Sequence, residues 1–261
     1  MQTRTWMTAV ITTILLASPS WSAGFSANPA GIAGQAGGGI VEGGCGATVL
    51  TQSTSQTIVA LNSVSCNGSG LHTDNSYFRA YDMSGFPDGF DVCEIQVGVE
   101  QAESFGGTQP ITVNVYANTG GTFPAGALVL LGTAPVSVAD QSLTVLDVPL
   151  AASVPAGTTE MVLEVFTPNG QAAGNGFFIG TNDLGQSGLS YIEAPDCNVL
   201  SPTPTGDIGF PNMHIVLNAV GDEQIAAPPV EVPALGGWGL TLLVVFLGGA
   251  ACIALRKRSL A

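Results

Sequence analysis

Apolar side chains return at every second position through the middle of this chain, which restricts the fold more than any other feature. Cys93, Ile95, Val97 and Val99 alternate with Glu94, Gln96, Gly98 and Glu100, and Ile111, Val113 and Val115 alternate with Thr112, Asn114 and Tyr116. Successive strand residues point to opposite faces, so a period of two buries one face only in an extended conformation, and each run predicts a half-buried strand. Further strands are expected at Thr57 to Leu61, Tyr77 to Met83, Ala127 to Thr133, Leu143 to Val148, Glu160 to Phe166, Gly176 to Thr181, Leu189 to Glu193 and His214 to Val220. Turn chemistry separates them at Pro87-Asp88-Gly89, Gly120-Gly121, Pro124-Ala125-Gly126, Pro155-Ala156-Gly157 and Pro168-Asn169-Gly170. No window before the C-terminal tail has helical periodicity, and no fixed repeat suggests a propeller or β-helix. The expected class is all-β: an antiparallel, jelly-roll-like β-sandwich over residues 45–221, a size suited to one domain.

The two ends predict export. Arg4 and the apolar stretch from Trp6 to Ala17 read as the charged and apolar regions of a secretory signal, with small residues up to Ala23 for cleavage, so residues 1–23 are assigned to a signal peptide. The apolar run is shorter than the roughly 20 residues that a bilayer core demands. Residues 24–44 form a Gly-rich stretch with too few large apolar side chains to bury, expected to be a flexible lead-in. Residues 222–231 are read as a Pro-containing linker. From Leu235 to Leu255 the chain has 21 residues without a charge, followed at once by Arg256, Lys257 and Arg258. A helix of that length crosses a hydrocarbon core of about 30 Å. The basic cluster stops transfer and keeps the tail in the cytoplasm, leaving everything before it outside.

The last 30 residues resemble a known class of tail. Val232, Pro233, Ala234, Leu235, Trp238 and Gly239, then the apolar run, then the basic end, are similar to the IPTL-CTERM sorting signal, with Ala234 standing where that pattern has threonine. The resemblance implies recognition by an exosortase-like membrane enzyme of a Gram-negative bacterium. The ectodomain would then stay anchored in the periplasm or at the cell surface, or be released after processing. The Sec translocon and signal peptidase are the other expected partners. Gly209 to Gly221, Phe78 to Asp82 and Phe177 to Gly180 are loosely similar to bacterial extracellular sandwich domains without an agreed activity.

Charge narrows the function classes. Of five basic residues, one lies in the signal and three in the tail, which leaves Arg79 as the ectodomain's only cation. All 19 acidic residues lie between Glu42 and Glu231, so one arginine against 19 carboxylates leaves the exported part at −18. Nucleic acid is excluded as a partner, because nothing is there to displace phosphate counterions. Cys45, Cys66, Cys93 and Cys197 are an even set that suits an oxidising compartment and two disulfides. Of three possible pairings, Cys45 with Cys66 and Cys93 with Cys197 is preferred, the second stapling an early strand to the loop before the last one.

Candidate chemistry is sparse. His72-Thr73-Asp74 offers histidine and carboxylate but no nucleophile elbow accompanies it, so no catalytic residue is assigned and the chain is expected not to be an enzyme; a secreted hydrolase is the remotest alternative. His214 is expected as a hydrogen-bonded sheet residue. Asp82, Asp88 and Asp91 surround a Gly- and Pro-containing turn and are weak candidates for a structural calcium ion, though no EF-hand loop is present; no other cofactor is expected. A carbohydrate-binding module would use exposed aromatics, and Tyr77, Tyr81, Tyr116 and Tyr191 are the tyrosines available. A non-catalytic display or adhesion module is the leading expectation, with carbohydrate binding the alternative.

Overall fold

A computed structural model describes residues 23–27 and 45–225. In chain order the strands are β1 (Gly24–Ala27), β2 (Thr48–Leu50), β3 (Val64–Gly68), β4 (Leu71–His72), β5 (Asn75–Asp82), β6 (Phe90–Ser104), β7 (Thr108–Thr119) and β8 (Ala127–Ala139). They continue as β9 (Gln141–Val154), β10 (Glu160–Thr167), β11 (Asn175–Ile179), β12 (Thr181–Asn182), β13 (Ser190–Ala194), β14 (Val199–Pro204), β15 (His214–Ile215) and β16 (Leu217–Glu223). Two short 3-10 turns, Gln171–Ala173 and Pro195–Cys197, are the helical elements among the described residues.

The strands form an antiparallel β-sandwich. One sheet has the order β14-β13-β5-β10-β7-β8; the other runs β11-β6-β16-β2, with β9 also paired to β6. Between them lies the core, built from inward residues of both sheets, including Ile111, Val113 and Val115 of β7, Leu163 and Val165 of β10, and Ile95, Val97 and Val99 of β6. Two small ladders, β1-β3-β4 and β12-β15, complete the pairing. Thus Gly24–Ala27, at the start of the Gly-rich stretch, pairs with Val64–Asn67, and β16 continues to Glu223 through pairing with β6.

The period-two reading describes β7 well, where Thr112, Asn114 and Tyr116 are half-exposed between buried neighbours. It understates β6. Gln96, Gly98 and Glu100 are buried as well as Ile95, Val97 and Val99, because the 51–63 segment and the β12-β15 ladder cover the outer face of that strand. The expected strand at Thr57 to Leu61 is part of this cover and is not a strand. It crosses the sheet, with Ile58 buried and the Val59 amide donating to the Thr181 carbonyl. It ends where Leu61 turns into the left-handed region and the Leu61 and Ser63 amides donate to the two carboxylate oxygens of Glu100, at 2.9 and 2.8 Å.

Two expected strands break where three chains meet. The Gly98 amide donates to the Val216 carbonyl, Val216 to Gly180 and Gly180 back to Gly98, at 2.8, 2.9 and 2.7 Å. At this closed cycle β11 leaves the edge of β6 and β16 takes its place, which separates β11 from β12 and β15 from β16. Only glycine fits there: a Cβ on Gly180 would stand 2.5 Å from the Gly98 carbonyl carbon, and one on Gly98 would stand 2.9 Å from the Gly180 oxygen.

Two disulfides are present, and their pairing corrects the preferred one. Cys45 is bonded to Cys93, and Cys66 to Cys197. The reason is register. β2 pairs with β16 through Thr48 and Gly221, and β16 pairs with β6 through Val220 and Glu94, so Cys45 enters beside the first part of β6, at Cys93. The turn that carries Cys197 follows β13 in the other sheet and lies near β1, at the end where β3 holds Cys66.

Candidate functional site

The positions singled out by sequence are scattered. Val232, Pro233, Ala234, Leu235, Trp238, Gly239, the span 235–255 and Arg256, Lys257 and Arg258 lie outside the described residues. Among the described residues no helix is long and apolar enough to cross a membrane. Asp82 ends β5 in one sheet while Asp91 begins β6 in the other, and each is already engaged. The Asp82 carboxylate accepts from the amide and hydroxyl of Ser84, at 2.9 and 3.0 Å, and Asp91 Oδ1 accepts from Ser153 Oγ and Gln224 Nε2, both at 2.8 Å. Asp88 is exposed in the intervening turn. Among the described residues no three His, Cys, Asp or Glu side chains converge as metal ligands, so the three aspartates are not drawn into one calcium site.

His72 and Asp74 serve one turn rather than one reaction. His72 is buried and its Nε2 donates to the Pro168 carbonyl at 2.9 Å, while Asp74 accepts from the Asn169 amide at 2.6 Å. Burial holds the imidazole below its ordinary value, against the smaller opposing effects of backbone hydrogen bonds at Pro168 and Asn175 and of the Asp74 charge. A histidine lowered in the fold binds its proton more readily unfolded, so its contribution is full above about pH 6.5 and is lost below it. Burial raises Glu94 and Glu193, both only partly buried, and these act in the opposite sense, gaining stability as pH falls. The test is therefore a difference: the stability gap between wild type and His72→Gln should narrow from pH 7 downward by up to about 1.4 kcal/mol per pH unit. Urea titrations of the two proteins at about pH 7 and about pH 5.5 measure it; a constant gap would show that the imidazole binds its proton alike in the folded and unfolded chain, so that burial does not lower it.

His214 occupies β15, where its carbonyl accepts from Asn182 Nδ2. None of the tyrosines offers an open ring. Tyr77 and Tyr81 are in the core, their hydroxyls donating to the carbonyls of Val64 and Leu217. Tyr191 packs edge-on under Phe123, with ring centroids 4.9 Å apart, and half-buried Tyr116 donates to Glu164 at 2.7 Å.

The exposed aromatic is one that sequence reasoning passed over. Phe105 follows the last residue of the long strand β6, just before Gly106-Gly107, and 90% of its surface is open to solvent. It stands at the side of a groove of about 360 Å³ on the outer face of the sheet. Cross-strand register builds this groove: Gln101 faces Phe178 and Glu103 faces Gly176, with Ser69, Gly70 and Leu71 forming another side. Glycines keep it open. A Cβ on Gly176 would meet the Gly70 oxygen at 2.8 Å, and one on Gly174, which caps the 171–173 turn at φ +73°, would strike the Phe105 ring at 2.2 Å. Gln101 is buried; its Nε2 donates to Glu103 Oε2 at 2.8 Å, while its Oε1 is buried without a hydrogen-bond partner. A large aromatic directly before Gly-Gly at a strand end was the sequence signal available.

Side chains at the groove thus offer an apolar ring, hydroxyls and oxygen acceptors, and no cation. Arg79, the only lysine or arginine among the described residues, is in the core. No protein-family model matches the chain, and a search of curated proteins finds no match.

Proposed function

We propose that this chain is an exported envelope protein that displays a non-catalytic β-sandwich outside the inner membrane. In this reading residues 1–23 direct it through the Sec translocon and are removed by signal peptidase, and the span 235–255 anchors it with Arg256, Lys257 and Arg258 in the cytoplasm. An exosortase-like enzyme acts at the tail around Val232 to Gly239. The observation that carries the proposal is the pair of disulfides, which bridge 48 and 131 residues and suit an oxidising compartment. A surface rich in carboxylates, with the sole ectodomain cation buried, suits a module that stays soluble on display. Burial of His72 against the Pro168 turn supports display over turnover.

The deciding experiment is a topology reporter. Alkaline phosphatase fused after Ile225 should be active in intact cells, and thiol labelling of that fusion should find Cys45, Cys66, Cys93 and Cys197 all oxidised. Mass spectrometry of the mature protein should place its N-terminus near Gly24 and its C-terminus at or before the apolar span. An inactive phosphatase with free thiols would put the domain in the cytoplasm and end the proposal.

A further inference from the structure

We infer that the groove beside Phe105 is a binding site for a neutral pyranose ring. This goes beyond display, and it does not depend on where the protein resides, because the purified chain can be assayed directly.

Four observations point to that ligand. Phe105 presents an aromatic face with 90% of its surface uncovered, and its ring is placed against Gly174 rather than folded into the core. The apolar face of a sugar ring stacks on such a surface. Next to it, Gln101 is only 7% exposed and has one satisfied end and one orphan: Nε2 is engaged by Glu103, and Oε1 has no donor. A buried carbonyl without a donor is costly, and a ligand hydroxyl supplies what it lacks after a small side-chain adjustment. The neighbouring Glu103 is exposed and is a second acceptor, so the wall selects a ligand rich in donors. Finally, a volume of about 360 Å³ accommodates a sugar unit but no large partner.

Charge then chooses among sugars. With Glu103 in the wall and the ectodomain's single cation buried, a uronate or sialic acid would bring a carboxylate into an uncompensated negative field. Small cations would be attracted, but a cage for a quaternary ammonium needs several ring faces, and Phe178, the other aromatic lining the groove, is buried. The remaining class is the uncharged pyranoside.

Saturation-transfer NMR on the full-length chain in lauryldimethylamine oxide, a detergent without a sugar head, tests this. The probes are methyl glucopyranoside, methyl galactopyranoside, methyl mannopyranoside and N-acetylglucosamine, each at roughly 10 mM, where weak binding is still visible. At least one should receive saturation, strongest at ring protons of its apolar face, and glucuronate should receive far less. Phe105→Ala should weaken the interaction about tenfold or more, at an unchanged melting temperature because the ring is exposed. Gln101→Leu, which removes the orphan oxygen, should also weaken it without loss of fold. The inference is overturned if none of the four sugars receives saturation, if Phe105→Ala leaves it intact, if glucuronate binds as well as the neutral sugars, or if tetramethylammonium proves the only binder.

Discussion

Removing the Cys66–Cys197 bridge by paired alanine substitution should lower the unfolding free energy by about 5 kcal/mol, and removing Cys45–Cys93 by about 4 kcal/mol. The difference is set by loop length. The first bridge joins residues 131 apart and the second 48 apart, and closing the longer loop takes more conformations from the unfolded chain. Position adds a kinetic distinction. Cys66 is fully buried in β3, whereas Cys45 is exposed and Cys93 only partly buried, so a mild reductant acting on the native protein should open Cys45–Cys93 first. Urea titration of the two double variants gives the order of stabilities, and mass spectrometry of partly reduced protein gives the order of opening. A smaller loss at Cys66–Cys197 than at Cys45–Cys93 would mean that the unfolded chain holds structure around one of them.

These bridges also mark where sequence reading ended. The fold class was legible because alternation and turn residues are local: β7, β10 and the outer part of β8 lie where the period and the Pro-Ala-Gly turns put them. What was not legible is long-range. The 51–63 segment has the composition of a strand, yet its partners are a tertiary surface and the carboxylate of Glu100, so composition could not separate it from a strand. The breaks at Gly180 and Val216 come from a junction with Gly98, more than 80 residues away from the nearer of them. The candidate groove was hidden for the same reason. Gln101, Glu103, Gly174 and Gly176 are unremarkable until β11 pairs with β6, and only Phe105 carried a local signal. Tyrosine drew attention first as the more usual exposed aromatic, but in this fold all four tyrosines are partly or wholly covered.

The second large effect is expected at Arg79, where substitution by methionine should cost about 3 kcal/mol or more and substitution by alanine more again. Arg79 lies on β5 between the buried Tyr77 and Tyr81 and has no surface exposure. Its Nε donates to the Ile215 carbonyl at 2.9 Å, and Nη2 reaches the same oxygen; Nη1 donates to the Gly188 carbonyl at 2.7 Å and to Gln52 Oε1 at 3.4 Å. Burial lowers the guanidinium to about 10, which leaves it charged at neutral pH. Replacing a buried ion pair by apolar residues can be harmless when both partners are exchanged. Here that route is closed, because the main acceptors are backbone carbonyls that no substitution removes. Methionine would fill the space yet leave Gly188 without its donor, while Ile215 would keep only its bond from Ser53 Oγ at 3.0 Å. Lysine should rescue little: a point charge cannot serve carbonyls in two different segments, β15 and the loop at Gly188, as the planar fork does, and its desolvation is harder to offset. Melting temperatures and urea midpoints of Arg79→Met, Arg79→Lys and Arg79→Ala measure the order. A methionine variant as stable as the wild type would show that those carbonyls find other donors, and that the one cation of the domain is in its core for a reason other than stability.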